Sequence, residues 1–495
     1  MEGSTLTRPH PGTDPERARP SPGERGDGLA KIVFALLCVG FAIGFFVFPT
    51  YPVYDSYYSL LWGRDLLHGD PLVFDGFRYP TEHPLAIAAG AVLQLFGGWG
   101  DRLWVAMILA SFLVLVAGVY RLGRIAATPL VGAVAAALLL TRFDYAFLTA
   151  RGYIDIPYMA MVVWAAALEA ERPRRGTSVL VLLALAGLLR PEAWVLAGLY
   201  WLWVAWRATW GQRVLYAALA AIGPFVWTVT DLIVTGDPLF SLHYTSSSAE
   251  ELGRNLPISQ FGSAIPEFFA NLVKLPVLVA AALGLVIAVV AVPRRAAAPL
   301  ALLTAGIVTF VLIGIAGASA IERYLAIAAV ALLVFAAVSF GGFTLLERGA
   351  LRTGWMVASI LVVVFGVVWT AIHIDLKRFD AELSFRGAAH DDLVEVLDDP
   401  EVKAGLRCGP LTLPNHKLVP DSRWIADLPY EKVRARADPK LEPQPRKGVG
   451  IYVTGRFALF KHSLTSESDS VLIQVPPPGF ERVKVTDYYS AYVKC

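Results

Sequence analysis

Apolar residues run along this chain in blocks of membrane length, broken by short polar turns. The first block, Leu29 to Phe48, follows Arg25, carries Lys31 at its start and is long enough to span a bilayer. It leads into PTYPVYD and not into a small-residue cleavage site, so it predicts a retained first helix and not a signal peptide. Further spans are predicted at 102–120, 129–148, 156–171, 177–189, 193–206, 214–234, 268–292, 299–318, 323–346 and 353–374, eleven in all with the first. PLAIAAGAVLQLFG (84–97) is too short to cross and is expected in the interface or dipping partway in.

The pattern changes after residue 375. LKRFDAELSFRGAAHDDLVEVLDD reads as a surface helix, and GVGIYVTGRFALFKH and SVLIQV as strands. Pro439, Pro443 and Pro445 mark an irregular connector. The fold class expected is an all-α polytopic membrane bundle (29–374) with a small C-terminal α+β extracytoplasmic domain (375–495). Residues 1–28, rich in Pro, Gly, Arg and Glu, read as a disordered cytoplasmic tail.

Composition agrees with the pattern. Of 495 residues, 56% are hydrophobic and 17% charged, which excludes an ordinary soluble protein of this length. The net charge of +2 gives no sign of a nucleic-acid partner, and no zinc spacing, Walker sequence or dinucleotide fingerprint is present. With the N-terminus cytoplasmic, the even turns carry Arg121 and Arg124; Arg172, Arg174 and Arg175; Arg207 and Arg213; Arg294 and Arg295; Arg348 and Arg352. Those five basic turns match the positive-inside rule for a multi-pass protein of the cell membrane. The loop 49–101, the turns near 151–157, 188–194 and 318–324, the loop 235–267 and the C-terminal part then face outward.

That sorting gathers the unusual side chains at one membrane face. A charge in the bilayer centre costs about 2.5–3.5 kcal/mol on insertion scales, so several at one depth predict a lined cavity. Asp55, just past the first helix, reads either as a helix N-cap or as a general base toward an acceptor hydroxyl. Asp155 in RGYIDIPY reads as a cap, or as a second carboxylate that binds the acceptor, orients a divalent cation or shares the base's work. In RYPTEHPL, Arg78, Glu82 and His83 read as an interfacial turn, or as sugar and phosphate contacts with Glu82 and His83 hydrogen-bonded to each other. Arg190, beside Glu192, and Arg323, beside Glu322 and Tyr324, read as snorkelling ion pairs or as bidentate phosphate ligands. His243 and Tyr244 offer aromatic and polar groups to a sugar or lipid headgroup. Cys408 and Cys495 fall together in the outward part, where an oxidising compartment allows a disulfide or leaves two thiols.

In order and sidedness, YDSYYSLLWGRDLLHGDP, PTEHPLAI, ARGYIDIPY, LLRPEAW and IERYL resemble the GT-C superfamily, which includes protein O-mannosyltransferases and lipid A aminoarabinose transferases. The resemblance spans about residues 30 to 374. It implies a polyprenyl-phosphate-linked sugar as donor, a hydroxyl on a glycan, protein or lipid as acceptor, and membrane lipid around both. It puts Asp55 in the catalytic aspartate's place and Asp155 at the second acidic position, with Arg190 and Arg323 toward the lipid-linked phosphate. Two departures are visible: residues 54–56 read YDS without paired acids, and the loop has HPL where HPP is common in the mannosyltransferase-like branch. Metal use is left open, no cofactor is certain, and a divalent cation is compatible with the residues. The competing classes are a transporter or flippase for a polyprenyl-linked glycan, which would set its ionisable residues near mid-bilayer, and a non-catalytic membrane scaffold.

Overall fold

A computed structural model describes residues 22–251, 253–373, 376–441, 443–454 and 471–495. The expected disordered tail, apart from its last residues, lies outside them. Helices α1 (Pro22–Val47), α2 (Tyr54–His68), α3 (Pro84–Gln94), α4 (Gly100–Ala126), α5 (Pro129–Leu140), α6 (Phe143–Ala150), α7 (Asp155–Glu171) and α8 (Thr177–Gly187) form the first half of the apolar body. The second half holds α9 (Glu192–Ala205), α10 (Trp210–Thr235), α11 (Phe240–Glu251), α12 (Phe261–Val273), α13 (Leu275–Ala291), α14 (Pro293–Ile315), α15 (Ala326–Gly341) and α16 (Ala350–His373).

Every stretch read as a span is helical, but the spans are not uniform. By length and composition six helices can cross a membrane, and up to eight if each of two bent pairs is one span. The bends are 62° between α5 and α6 and 106° between α12 and α13. A physical cause is visible at both. Lys274, between α12 and α13, takes φ 68°, and Arg142, between α5 and α6, donates from its guanidinium to the Val273 carbonyl at 2.9 Å. Each break thus leaves backbone groups unpaired, and one break's side chain satisfies the other's carbonyl. The short helices α8 and α9 are apolar but below full spanning length.

Apolar residues cover α15 on all sides because it is central. From Ala326 to Val338 each residue is buried against helices that include α5, α13 and α14. The mostly exposed apolar sides of α1 and α16 suit them to lipid. Helix α2 packs on α3 through Gly63 and Gly90. A Cβ on Gly63 would sit 2.3 Å from the Ala91 backbone nitrogen, so only glycine lets the two backbones approach this closely.

The C-terminal part has its own core. Helices α17 (Leu376–Asp398), α18 (Pro400–Cys408) and α19 (Val419–Ile425) accompany strands β1 (Leu411–Leu413), β2 (Val433–Ala435), β3 (Gly448–Val453), β4 (Glu481–Val485) and β5 (Tyr489–Lys494). The sheet order is β2-β1-β3-β5-β4, parallel on the β2-β1-β3 side and antiparallel across β3-β5-β4. Val449 lies opposite Val493 and Tyr452 opposite Ser490, and Leu393, Val396, Leu411, Ile451 and Ala491 fill the core. The strand read at SVLIQV is instead a 3-10 helix from Val471 to Gln474, because the three prolines that follow cannot donate to a ladder. The strand read at 448–462 is β3 as far as Val453, and its remainder from 455 lies outside the described residues. Cys408 and Cys495 are disulfide-bonded, with Cα atoms 5.3 Å apart.

Candidate active site

The turn RGY (151–153) anchors the start of α2. Val53 donates its N–H to the Arg151 carbonyl at 2.8 Å, and the Gly152 carbonyl accepts from Ser56 Oγ at 2.7 Å and Trp104 Nε1 at 2.8 Å. Gly152 has φ 73°, a left-handed turn that aims its carbonyl at both donors. Asp55 is the second residue of α2. The N-cap is Val53, with no side-chain cap bond, so Asp55 does not serve as the cap. Its carboxylate is half-buried, and among the described residues no donor is hydrogen-bonded to it. Burial raises its pKa above the usual carboxylate value, and neighbouring Asp155 adds to the rise; Arg323, Arg254 and Arg190 oppose it.

Asp155, electrostatically coupled to Asp55, opens α7 and is 4% exposed. Arg190 Nη1 donates to Asp155 at 2.5 Å, while its Nε and Nη2 reach Glu192 Oε1 at 3.0 and 2.7 Å. All three residues are buried, and the guanidinium also lies 4.7 Å from the Tyr324 ring centroid. Arg190 is therefore already bound by two carboxylates. Arg323 is not. Its expected partner, Glu322, accepts instead from Asn271 Nδ2 at 3.3 Å, and among the described residues no carboxylate lies within ion-pair distance of Arg323. Its guanidinium rests 5.7 Å from the Tyr153 ring and 5.9 Å from that of Tyr324, with Nε buried and unpaired. It feels the charges of Asp155 and Asp55.

His83 is the N-cap of α3, edge-on to Trp227 at 5.6 Å. Burial, then the nearby Arg190, pushes it down to about 3, so it is a neutral imidazole. It does not pair with Glu82. Glu82, 1% exposed, accepts from Ser241 Oγ, which also bonds Asp231 Oδ1 at 2.8 Å. Burial first, then its hydrogen bond with Asp231, raises Glu82 to about 8. The reading of a Glu82–His83 pair is thus corrected: sequence adjacency points the two side chains apart, and Glu82 finds its partners 149 and 159 residues on, at Asp231 and Ser241.

The remaining candidates sit apart from this group. His243 is exposed and bonds Asp237 at 2.7 Å. Tyr244 donates to the Gly76 carbonyl at 3.2 Å, and Arg78, at φ 55°, is 4.0 Å from Glu251 and accepts from Tyr54 through its carbonyl at 2.7 Å. Residues that the sequence reading missed complete the surroundings of Asp55. Arg151 is electrostatically coupled to it and lies over Phe147 at 4.5 Å. Arg254 is exposed, with no ion-pair partner among the described residues. Arg151 was legible from the RGYIDIP motif that carries Asp155; Arg254 stood in a long polar loop with no signal. Among the described residues no group of three His, Cys, Asp or Glu is placed to hold a metal ion, and the Asp155 carboxylate is taken by Arg190.

No protein-family model and no curated protein sequence matches the chain. Solved structures do. ArnT from Cupriavidus metallidurans in the apo state aligns with a TM-score of 0.57 at 14% identity, over 94% of this chain and 98% of that one. The same protein bound to undecaprenyl phosphate aligns with a TM-score of 0.55 at 13% identity, over 93% and 97%. The chain has the GT-C fold. The likeness runs through both the bundle and the C-terminal α+β part, and six helices long and apolar enough to cross a membrane make the fold that of a polytopic integral membrane protein. The oligosaccharyltransferase of Archaeoglobus fulgidus in the apo form gives 0.47 at 12% identity over 79% of this chain and 61% of that one, too distant for comparison residue by residue.

Proposed function

We propose that this GT-C chain is a glycosyltransferase that moves a sugar from a polyprenyl-phosphate or diphosphate donor to a hydroxyl acceptor at the extracytoplasmic face, with inversion. The observation that carries the reading is the meeting of two uncommitted groups in one electrostatic neighbourhood: a half-buried Asp55 carboxylate without a donor, coupled to an Arg323 guanidinium without a carboxylate. Support also comes from the fold shared with a protein crystallised with undecaprenyl phosphate, and from the five basic turns that set the opposite membrane face in the cytoplasm.

In this mechanism Asp55 accepts the proton of the acceptor hydroxyl as its oxygen attacks the anomeric carbon. The bond from that carbon to the phosphate oxygen breaks on the opposite face, and the lipid phosphate leaves with the electron pair. Arg323 stabilises the charge that develops on it. Arg190 acts differently from the phosphate ligand read in the sequence: bound by Asp155 and Glu192, it fixes the floor beneath the phosphate. The raised pKa of Asp55 suits a base, because it brings the carboxylate's proton affinity closer to working pH. An apolar groove of about 540 Å³ between α1, α4 and α6, lined by Phe41, Phe45 and Phe147 and ending at Thr50 and Ala150, supports entry of a lipid tail from between helices.

The test is Asp55→Asn in purified chain reconstituted with lipid. Turnover is expected to fall about 10²–10⁴-fold, while binding of undecaprenyl phosphate is retained. Unchanged turnover sinks Asp55 as base; unchanged movement of lipid-linked glycan across the bilayer with no sugar transfer favours a flippase.

A further inference from the structure

Along its length α2 is also held by the C-terminal domain. Arg64 stands nine residues beyond Asp55, about 14 Å up the helix and about 180° around it at 1.5 Å and 100° per residue. There, Arg64 Nη1 donates to Asp427 Oδ1 at 2.8 Å and to the Arg423 carbonyl at 3.4 Å, and Nη2 donates to the Leu428 carbonyl at 3.0 Å. The next residue, Asp65, accepts from Arg423 Nη2 at 3.3 Å. Arg423 is 1% exposed and Arg64 4%, so two guanidiniums and the Asp65 carboxylate have been withdrawn from water to make this contact. Asp427 adopts φ 50°, a left-handed conformation that aspartate tolerates better than most residues with a side chain.

Two ring contacts extend the same surface toward the Asp55 end. Trp424 lies 6.4 Å from the Tyr57 ring and packs on Gly100, where an added Cβ would meet it at 3.0 Å. His416 meets Tyr54, the residue before Asp55, edge-on at 5.2 Å. The domain therefore touches α2 at positions 54, 57, 64 and 65, from its first turn to its last. The RGY turn holds the same end of α2 through Val53 and Ser56, and Arg323 is electrostatically coupled to Asp55 there.

We propose that residues 416–428 of the C-terminal domain, through the clasp of Arg423 and Asp427 on Arg64 and Asp65, set the roll of α2 and so hold Asp55 opposite Arg323. Arg423 is then a positioning residue, acting on the reaction through α2, and the C-terminal domain is a structural wall of the active site. Two buried arginines share the Asp65 carboxylate, Arg64 Nε at 3.6 Å and Arg423 Nη2 at 3.3 Å, while Asp427 meets Arg64 from the exposed rim, so removing Arg423 takes away the domain's side-chain bond to Asp65 and loosens the contact. The inference rests on Asp55 being the base for its catalytic meaning, but the mechanical claim can be read without any donor.

The experiment is hydrogen–deuterium exchange on the full chain in lipid nanodiscs, wild type against Arg423→Ala and Arg423→Lys. In Arg423→Ala, amides of residues 56–62 are expected to exchange about tenfold faster while β3 and β5 keep wild-type protection, and Arg423→Lys recovers part of the difference. Increased exchange confined to 63–68 and 419–428 overturns the proposal, since the clasp would then stabilise only itself. If Arg423→Ala loses protection in β3 and β5 as well, Asp427→Asn replaces it: that side chain is on the exposed rim, and about a twofold increase over 56–62 with the sheet intact is expected, no increase being the contrary result. A second readout separates this claim from the reaction. With wild type active, Arg423→Ala is expected to lower kcat with a polyprenyl-phosphate sugar and leave the affinity for undecaprenyl phosphate unchanged; a wild type without transferase activity refutes the function and not the clasp.

Discussion

Arg190 and Arg323 look alike in the sequence, each an arginine beside a glutamate where an apolar run meets the outer face. Their fates differ. The contact that commits Arg190 comes from Asp155, 35 positions earlier, a pairing that local sequence does not reveal. Arg323 is left uncommitted because Glu322 turns to Asn271. Arg190→Ala is therefore expected to destabilise the bundle by about 3–5 kcal/mol, since it strands two buried carboxylates, seen as a lower unfolding midpoint. Arg323→Ala is expected to keep the midpoint and lower turnover by about 10²–10³-fold. Asp55 gives a complementary signature. Its folded pKa is raised, so the protonated form is favoured on folding and the charged form costs stability once pH rises through that pKa. Asp55→Asn is expected to raise the thermal midpoint at neutral pH while turnover falls about 10²–10⁴-fold, and the wild-type rate should fall on acidification at a pH above the ordinary aspartate range.

At the scale of elements, hydropathy located the helices but not their breaks. An apolar run averages over α5–α6 and α12–α13 alike, and the bends depend on Lys274's backbone and on Arg142's reach to Val273. Similarly, YDSYYSLLWGRDLLHGDP announced α2, while the Gly63–Gly90 contact that seats it on α3 requires knowing which face meets which. The loop PTEHP shows the same limit: Glu82 was legible as special, its partner Asp231 was not. Because Glu82 is raised from 4.5 to about 8, its contribution to stability is full below 4.5 and is lost as pH rises through 8. Thermal midpoints measured across that window are expected to fall in the wild type, and Glu82→Gln is expected to flatten the decline.

For the whole molecule, the change of material after residue 375 was readable because apolar membrane-length runs and a polar α+β part differ in composition. The relation between the bundle and the C-terminal domain was not, since Arg64 and Asp427 lie 363 positions apart. The Cys408–Cys495 bond closes a separation of 87 residues across that domain, and Cys408→Ser is expected to cost about 2–4 kcal/mol of its stability, detectable as earlier proteolysis of the C-terminal part than of the bundle. The central claim is that Asp55 and Arg323 bracket the bond that breaks. The measurement that addresses it most directly is a cryo-EM map of the Asp55→Asn chain with a polyprenyl-phosphate sugar bound. The expected map has the phosphate in hydrogen-bond contact with the Arg323 guanidinium and the anomeric carbon facing residue 55; a phosphate seated at the basic turns of the opposite membrane face, or beside His243 with position 55 pointing away from the sugar, would contradict it.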